Sequence, residues 1–166
     1  MLLRDGQVRG GMSHPVGFDV WDGSFDPLYQ WWREGVDAGR LRGRQDLDPG
    51  RFTKLLPRLA LIDVLQRDPL DLRYRLAGTE IFFKSGRDPT GKRFADIYSG
   101  PYLAEAFETY RGVIDSARPY TSTRTYTREK EGGFLTYKRL LLPLARDGET
   151  VDVVLLLVSD LQVVEG

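Results

Sequence analysis

Few side chains in this sequence are suited to nucleophilic or metal chemistry. There is no cysteine among the 166 residues, which excludes thiolate metal sites and cysteine nucleophiles. The one histidine, His14, lies in a polar, glycine-containing N-terminal stretch, so neither a multi-histidine metal site nor a Ser-His-Asp triad is expected. No pair of carboxylates has a spacing that suits acid–base catalysis. We therefore predict no catalytic residue and no metal site.

Charge and hydropathy narrow the range of partners. Lysine plus arginine and aspartate plus glutamate both number 24, so the net charge is zero. A neutral chain gains little from counterion release and is weakly attracted to anionic lipid, so nucleic acid and membranes are not expected partners. The N-terminus lacks the apolar run of a secretory signal, and the longest apolar stretch, Val153 to Val158, is too short to cross a bilayer. We expect a cytoplasmic protein of one domain.

The N-terminal part of the chain divides into an arm and two helices. Residues 1–23 have neither a helical nor a strand period, and we expect a flexible arm there. A helix is predicted from Asp26 to Gly39, because Asp26 suits the N-cap and Pro27 the first helical position. Its apolar residues recur at spacings of three and four, either to dock the helix on its own domain or to form a dimer seam or partner surface. These candidate interface residues are Leu28, Trp31, Trp32 and Val36.

A second, short helix is predicted from Asp48 to Leu56, which completes a flanking segment over residues 24–57. Arginines surround the connection between the two helices. Such a cluster either binds phosphate or an acidic partner, or is a solvated face with salt bridges to Asp46 and Asp48. The solvated face is the favoured interpretation. The arginines are Arg40, Arg42, Arg44 and Arg51.

Five strands are predicted in the core of the domain, residues 58–166. Apolar runs on either side of an Asp68-Pro69 turn predict a hairpin of two strands, Leu59 to Leu65 and Leu72 to Leu76. Glycine-containing turns separate the other three strands. These run from Tyr120 to Arg128, from Phe134 to Leu144 and from Val151 to Val163.

Helices are predicted between the second and third strands. Thr79 is placed to cap a short helix that contains Ile81 and Phe82, and a helical turn follows near Phe94. The longest helix is predicted from Pro101 to Ser116, with apolar residues at i, i+4, i+7 and i+11. The resulting fold class is α+β: a five-stranded antiparallel sheet with a helical crossover over one face and the N-terminal helices over the other.

Several short segments follow one another in a specific order along the chain. They are Asp46-Leu47-Asp48-Pro49, Leu55-Leu56-Pro57, Leu61-Ile62-Asp63-Val64, Tyr74-Arg75-Leu76-Ala77-Gly78-Thr79, Gly86-Arg87-Asp88-Pro89-Thr90-Gly91 and Leu140-Leu141-Leu142-Pro143-Leu144. With the order of strands and helices, these segments resemble the PAS domain family, and in particular the short single-domain PAS proteins of alphaproteobacteria. The resemblance implies sensing or protein interaction, and it supplies neither a known ligand nor a set of binding residues.

A PAS-like arrangement implies a cavity between the inner sheet face and the crossover helices. Tyrosine hydroxyls among apolar side chains there would orient a small ligand, or the same residues simply fill the core. The cofactor is unknown, although the lack of cysteine excludes a covalent flavin–cysteine adduct. The candidate pocket residues are Tyr74, Leu76, Phe82, Phe94, Tyr98, Phe107, Tyr110, Tyr126, Tyr137 and Leu155.

These observations predict a regulatory sensor or interaction domain and not an enzyme. We expect it to bind a small molecule or a signalling partner, to act without a fused output domain, and to pass its signal to that partner or through a homodimer. The alternative is a small α+β barrel enzyme with an apolar pocket. That enzyme would need an Asp or His general base in the pocket, and no histidine follows His14. A third possibility is an interaction domain with a filled cavity.

Overall fold

The protein is built around one antiparallel sheet, seen in a computed structural model that describes residues 20–128, 132–159 and 161–165, apart from the side chains of residues 83–85. His14 and most of the predicted arm lie outside these residues. The predicted boundaries of the arm, the flanking segment and the core stay predictions. No helix in the described ranges is long and apolar enough to span a membrane.

The strands follow the predicted order, with one correction at the end. Their bounds are β1 Leu59–Arg67, β2 Leu70–Ala77, β3 Tyr120–Thr127, β4 Phe134–Leu144, β5 Val153–Val158 and β6 Gln162–Val164. The first five form the sheet in the order β2-β1-β5-β4-β3, and β6 pairs with β4. The last strand is predicted as continuous and is instead divided at Ser159. The N–H of Ser159 still donates to the carbonyl of Lys138 at 2.8 Å, but its Oγ, in place of its carbonyl, accepts the hydrogen bond from the N–H of Lys138 at 2.8 Å.

Both faces of the sheet are covered, and β5 is buried along its whole length. The inner face packs under the crossover helices and includes Ile62, Leu72, Val154, Leu156 and Val158. The outer face packs under the N-terminal segment. Its buried residues include Leu59, Leu61, Leu142, Leu144, Val153, Leu155 and Leu157. Alternate residues of β5 therefore serve two separate cores, as expected for a strand apolar on both faces.

The first helix, α1, spans Asp26–Asp37 and lies on the outer face. Its N-cap is Phe25, and Asp26 lies in the first turn, where its carboxylate accepts a hydrogen bond from Trp21 Nε1 at 2.8 Å. Trp32 is fully buried, and its Nε1 donates to the carbonyl oxygen of Pro143 at 2.8 Å. Trp31 packs edge-on against Phe52.

This docking corrects the candidate interface. Leu28, Trp31 and Trp32 are between 0% and 3% exposed, and Val36 packs beside them in the same core. The apolar side of α1 is therefore occupied by the chain's own sheet and is not a free dimer seam. The second predicted helix is instead a pair of short 3₁₀ turns, Pro49–Phe52 and Leu56–Arg58.

The crossover contains α2 Thr79–Ser85, α3 Phe94–Ile97 and α4 Gly100–Ser116. Thr79 is the first residue of α2, and the cap is Gly78 without a side-chain hydrogen bond, so the predicted threonine cap is wrong. Glycine is required at position 78 because a Cβ there would lie 2.4 Å from the carbonyl oxygen of Leu56 and 2.3 Å from that of Pro57. The start of α2 and the end of the N-terminal segment are thus in direct backbone contact.

A β-bulge in the first hairpin changes which way β2 faces. Tyr74 pairs with Ile62, whereas Leu76 pairs with Leu61, so Arg75 is the extra residue. Paired residues share a face, and a bulge shifts the alternation by one residue. Leu76 therefore lies on the side of Leu61, opposite to Tyr74, and it is 43% exposed. This corrects the predicted placement of Leu76 beside Tyr74.

A matched pair of substitutions tests these two placements. Leu155→Ala leaves a cavity in the outer core, and we expect the free energy of unfolding to fall by about 2–5 kcal/mol. Leu76→Ala removes the same atoms from an exposed position, and we expect a change within about 0.5 kcal/mol. Urea unfolding followed by circular dichroism measures both. Equal losses for the two variants would contradict the assignment of faces.

Candidate ligand-binding site

A cavity of about 40 Å³ lies between the inner face of the sheet and the crossover. Every layer of the inner core contributes to its wall: β2, the three segments of the crossover, and β3 to β5. The lining residues are Tyr74, Ile81, Arg87, Pro89, Ile97, Tyr98, Tyr102, Tyr126, Leu135, Tyr137, Leu156, Val158 and Leu161. The polar groups of this wall are five tyrosine hydroxyls and one guanidinium, and the rest is apolar.

The structure brings together four of the ten candidate pocket residues, Tyr74, Tyr98, Tyr126 and Tyr137. Phe94 and Tyr110 lie in the packed core around the cavity, where Phe94 stacks on Tyr74 with ring centroids 4.8 Å apart. The other four candidates, Leu76, Phe82, Phe107 and Leu155, are also not part of the wall.

Phe82 and Phe107 are partly buried on the crossover helices, outside the wall. Leu155 faces the outer core, because it neighbours Val154 and Leu156 in β5 and adjacent residues of a strand point to opposite faces. Its predicted place in the cavity wall is therefore corrected, as is that of Leu76.

Two lining residues with polar groups were not anticipated. Tyr102 lies at the start of α4, four residues before Ala106 and eight before Tyr110, so the helical period could have placed it on the buried side. Arg87 follows α2 in a turn, and only the folded chain shows that it reaches Tyr126. A charged residue in a turn is ordinarily solvated, so sequence reasoning does not place Arg87 in a cavity wall.

The tyrosine hydroxyls form pairs across the cavity. The hydroxyls of Tyr74 and Tyr98 are 2.8 Å apart, and those of Tyr102 and Tyr137 are 3.2 Å apart. The hydroxyl of Tyr126 accepts a hydrogen bond from Arg87 Nη2 at 2.6 Å. The rings of Tyr98, Tyr102 and Tyr126 contact one another, with centroids 5.0–5.8 Å apart.

The observed hydrogen bonds leave some hydroxyl protons of this network unused. Each hydroxyl pair holds two protons and uses one between its oxygens, which leaves one proton per pair to donate. Tyr126 accepts from Arg87 and keeps its own proton. The described residues thus present three hydroxyl protons that the observed hydrogen bonds do not use. A buried donor without an acceptor costs about 1–3 kcal/mol, so the cavity favours a molecule that accepts hydrogen bonds.

Burial keeps the hydroxyls of Tyr74, Tyr98 and Tyr102 protonated by raising their pKa values. It raises the pKa of Tyr74 and of Tyr102 well above the ordinary value of 10.0, and the neighbouring tyrosines raise both further. Burial also raises the pKa of Tyr98, although its hydrogen bond to Tyr74 acts in the opposite direction. Loss of hydration disfavours the phenolate form in each case. The groups therefore act as neutral donors at physiological pH.

An open groove of about 400 Å³ lies against the cavity. The two share Ile97, Tyr98, Tyr102 and Tyr126 in their walls. The groove is otherwise lined by the start of α4 and by threonines of β3. The three touching tyrosine rings therefore separate the interior from the groove.

The arginines of the predicted cluster do not pair with the aspartates expected for them. Arg42 and Arg51 both approach Glu34, at 3.4 and 3.8 Å. Asp46 and Asp48, the predicted salt-bridge partners, instead accept backbone N–H groups at the start of 3₁₀ turns. A separate ion cluster lies on β1 and β2, where the buried Asp63 binds Arg73 at 3.0 Å and Arg75 at 2.8 Å. Across the described residues, no three His, Cys, Asp or Glu side chains are grouped as a metal site.

A cupped antiparallel sheet, a helical crossover after its second strand in sequence and a cavity between them define a sensor domain of the PAS type. Residues 22–158 match the family model of a PAS domain, and the chain belongs to this family. The match includes the helices that cover the outer face, as well as the sheet. No curated protein matches the chain.

Solved structures agree on the fold. A light-oxygen-voltage domain studied with a flavin analogue has a TM-score of 0.51 and 17% identity, over 70% of this chain and 87% of that one. A cysteine-to-valine variant of the fungal photoreceptor VVD has a TM-score of 0.50 and 14% identity, over 80% of this chain and 93% of that one. At these identities the likeness concerns the fold alone.

Alkaline titration tests the burial of the hydroxyl network. Because the pKa values of Tyr74, Tyr98 and Tyr102 are raised in the folded state, the folded chain keeps protons that the unfolded chain releases near its ordinary value of 10.0. The resulting stability is complete below pH 10.0 and declines as the pH rises above it. Tyrosinate absorbance at about pH 11 should fall short of that in denaturant, and the rest should appear on unfolding. Equal absorbance without unfolding would contradict the network.

Proposed function

We propose that this regulatory PAS domain senses a small molecule that accepts hydrogen bonds in the tyrosine-lined cavity. The observation that carries the proposal is the set of hydroxyl protons that the observed hydrogen bonds leave unused. Three unused protons point to a ligand with acceptor oxygens, and the apolar remainder of the wall suits a short hydrocarbon body. A ligand that binds one conformation of the protein more tightly than another would shift the equilibrium toward the first, by an amount set by the difference in affinity.

The size of the cavity limits the ligand. A buried water needs about 10–15 Å³ measured in this way, so about 40 Å³ corresponds to roughly three waters or to a molecule of a few heavy atoms. A flavin, the group named for one of the similar folds, is far larger, and this chain lacks the cysteine for a covalent adduct. We propose that the ligand enters from the neighbouring groove by movement of the Tyr98, Tyr102 and Tyr126 rings.

The signal requires a recipient, which we propose is a signalling protein or a second copy of the chain. The apolar side of α1 is occupied internally, so this contact would use other surfaces or follow a displacement of α1. The sequence motifs favour an alphaproteobacterial protein that acts in the cytoplasm.

An enzyme in the same cavity is the weaker alternative. A general base must titrate near the working pH. The thirteen described lining residues include no carboxylate and no histidine, and burial raises the pKa of Tyr74, Tyr98 and Tyr102, so none of these is a base at neutral pH. The wall is therefore better suited to binding than to proton transfer.

Native mass spectrometry of freshly purified protein tests the proposal. We expect a bound small molecule in the wild type and its loss in Val158→Leu, because the added methylene fills the cavity from β5. Tyr126→Phe removes one unused donor and should reduce occupancy about fivefold or more.

Two matched variants serve as controls. Val163→Leu makes the same change on β6, where the side chain is 38% exposed, and Tyr120→Phe removes an exposed hydroxyl from the same strand as Tyr126. Both should retain the bound mass. A wild type without any bound mass, or a Val158→Leu variant that retains it, would overturn the proposal.

A further inference from the structure

An unusual cation lies on the inner face of β4. Arg139 is 4% exposed, and its Nε donates to Ser122 Oγ at 2.8 Å. Its Nη2 is buried without a hydrogen-bond partner. The ring of Tyr110 lies 5.9 Å from the guanidinium carbon, which is at the outer limit of a cation–π contact. Because a guanidinium cannot lose its proton in this pH range, its charge must be balanced or its burial is strongly unfavourable.

A second buried guanidinium lies next to it. Arg124 of β3 is 3% exposed, and its guanidinium carbon lies 4.0 Å from the ring centre of Tyr102. Arg124 pairs with Tyr137 and Ser122 pairs with Arg139, so the two arginines are diagonal neighbours on one face. Diagonal neighbours in such a ladder are about 7–8 Å apart, where like charges in a dry interior repel.

The available counter-charge is incomplete. The carboxylate of Glu105 lies 3.4 Å from Arg124 Nη1, outside hydrogen-bond geometry, and its side chain is 62% exposed. Such an exposed partner is screened by water. Among the described residues, no ion pair involves Arg139. Counting only residues that the structure describes, the inner face of β3 and β4 therefore carries two buried positive charges and one solvated negative charge.

We propose, on the basis of the proposed function, that the ligand of the tyrosine cavity is a small carboxylate whose charge is balanced by Arg124 and Arg139. Its oxygens accept the spare hydroxyl proton of the Tyr102–Tyr137 pair. That pair lines the cavity, Tyr102 stacks on Arg124, and Tyr137 pairs with Arg124 across the ladder. Neither arginine lines the cavity itself, so their charges would act on the ligand without direct contact, through the adjoining Tyr102 and Tyr137.

The dimensions of the site favour a carboxylate over a phosphate. A carboxylate is planar and carries one charge, whereas a phosphate is tetrahedral, more strongly hydrated and carries up to two. A cavity of about 40 Å³ can hold a carboxylate, either alone or with a short alkyl chain attached. Acetate is therefore a suitable probe, and acetamide, which has the same shape and no charge, is its neutral control.

Thermal unfolding with acetate or acetamide tests the charge of the ligand. Ionic strength is held constant with a bulky sulfonate buffer. In the wild type we expect acetate to raise the melting temperature in a saturable manner and to bind at least about tenfold more tightly than acetamide. In Arg139→Met this preference should disappear. Lys138→Met removes a positive charge from the adjacent, exposed position of the same strand and should retain the preference.

The unliganded variants give a second readout. If Arg139 is an uncompensated buried charge kept for a ligand, Arg139→Met should melt at the same temperature as the wild type or higher, since an apolar side chain of similar length removes the desolvation cost. A purely structural arginine would instead lower the melting temperature on substitution. Should Arg139→Met fail to fold, Arg124→Met makes the same comparison from β3.

The outcomes separate this inference from the proposed function. Equal effects of acetate and acetamide, or an acetate preference that survives in both arginine variants, overturn the anionic ligand while the sensor proposal stands. No effect of acetate on the wild type also overturns it. If acetate stabilises Val158→Leu as strongly as the wild type, the two arginines bind anions outside the cavity. That result would overturn the proposal that the tyrosine-lined cavity is the binding site.

Discussion

The whole structure depends on burying both faces of one sheet away from solvent. Every residue of β5 is buried, and its alternate side chains enter two different cores, so neither face can be left to solvent. This makes α1 as necessary to the sheet as the crossover. The hydrogen bond from Trp32 to the carbonyl of Pro143 fixes the helix at a point where proline removes a ladder donor. The inner face can therefore hold a cavity while the outer face is closed by its own packed layer.

The sequence predicted the order of elements well because local signals specify them. The longest helix and β4 have the expected bounds to within one residue, since the helical period and the strand alternation are undisturbed there. The errors arise where tertiary contacts override local patterns. A bulge at Arg75 reverses Leu76, Ser159 divides the last strand, and the close approach of Leu56 and Pro57 places glycine, not threonine, at the cap of α2.

The site was harder to predict than the fold. Four tyrosines could be assigned to the cavity wall because aromatic residues at inward positions of strands and helices converge there. Arg87 could not, since its role depends on a turn that brings it to Tyr126. The burial of Arg124 and Arg139 could not be predicted either, because alternating polar residues in a strand ordinarily indicate its solvent-exposed face. Only the fold shows that these two point under α4, with Lys138 on the exposed side.

The contact at Gly78 joins the two layers mechanically. The α-carbon of this glycine lies against the backbone of Leu56 and Pro57, and its N–H donates to the carbonyl of Leu59 at 2.7 Å. Directly after it begins α2, which carries Ile81 into the cavity wall. No side chain lies between the backbone of Gly78 and that of Leu56 and Pro57, so neither segment can shift toward the other. A tilt of α2 would therefore press on Leu56 and Pro57, in the segment that connects α1 to β1 on the opposite side of the sheet.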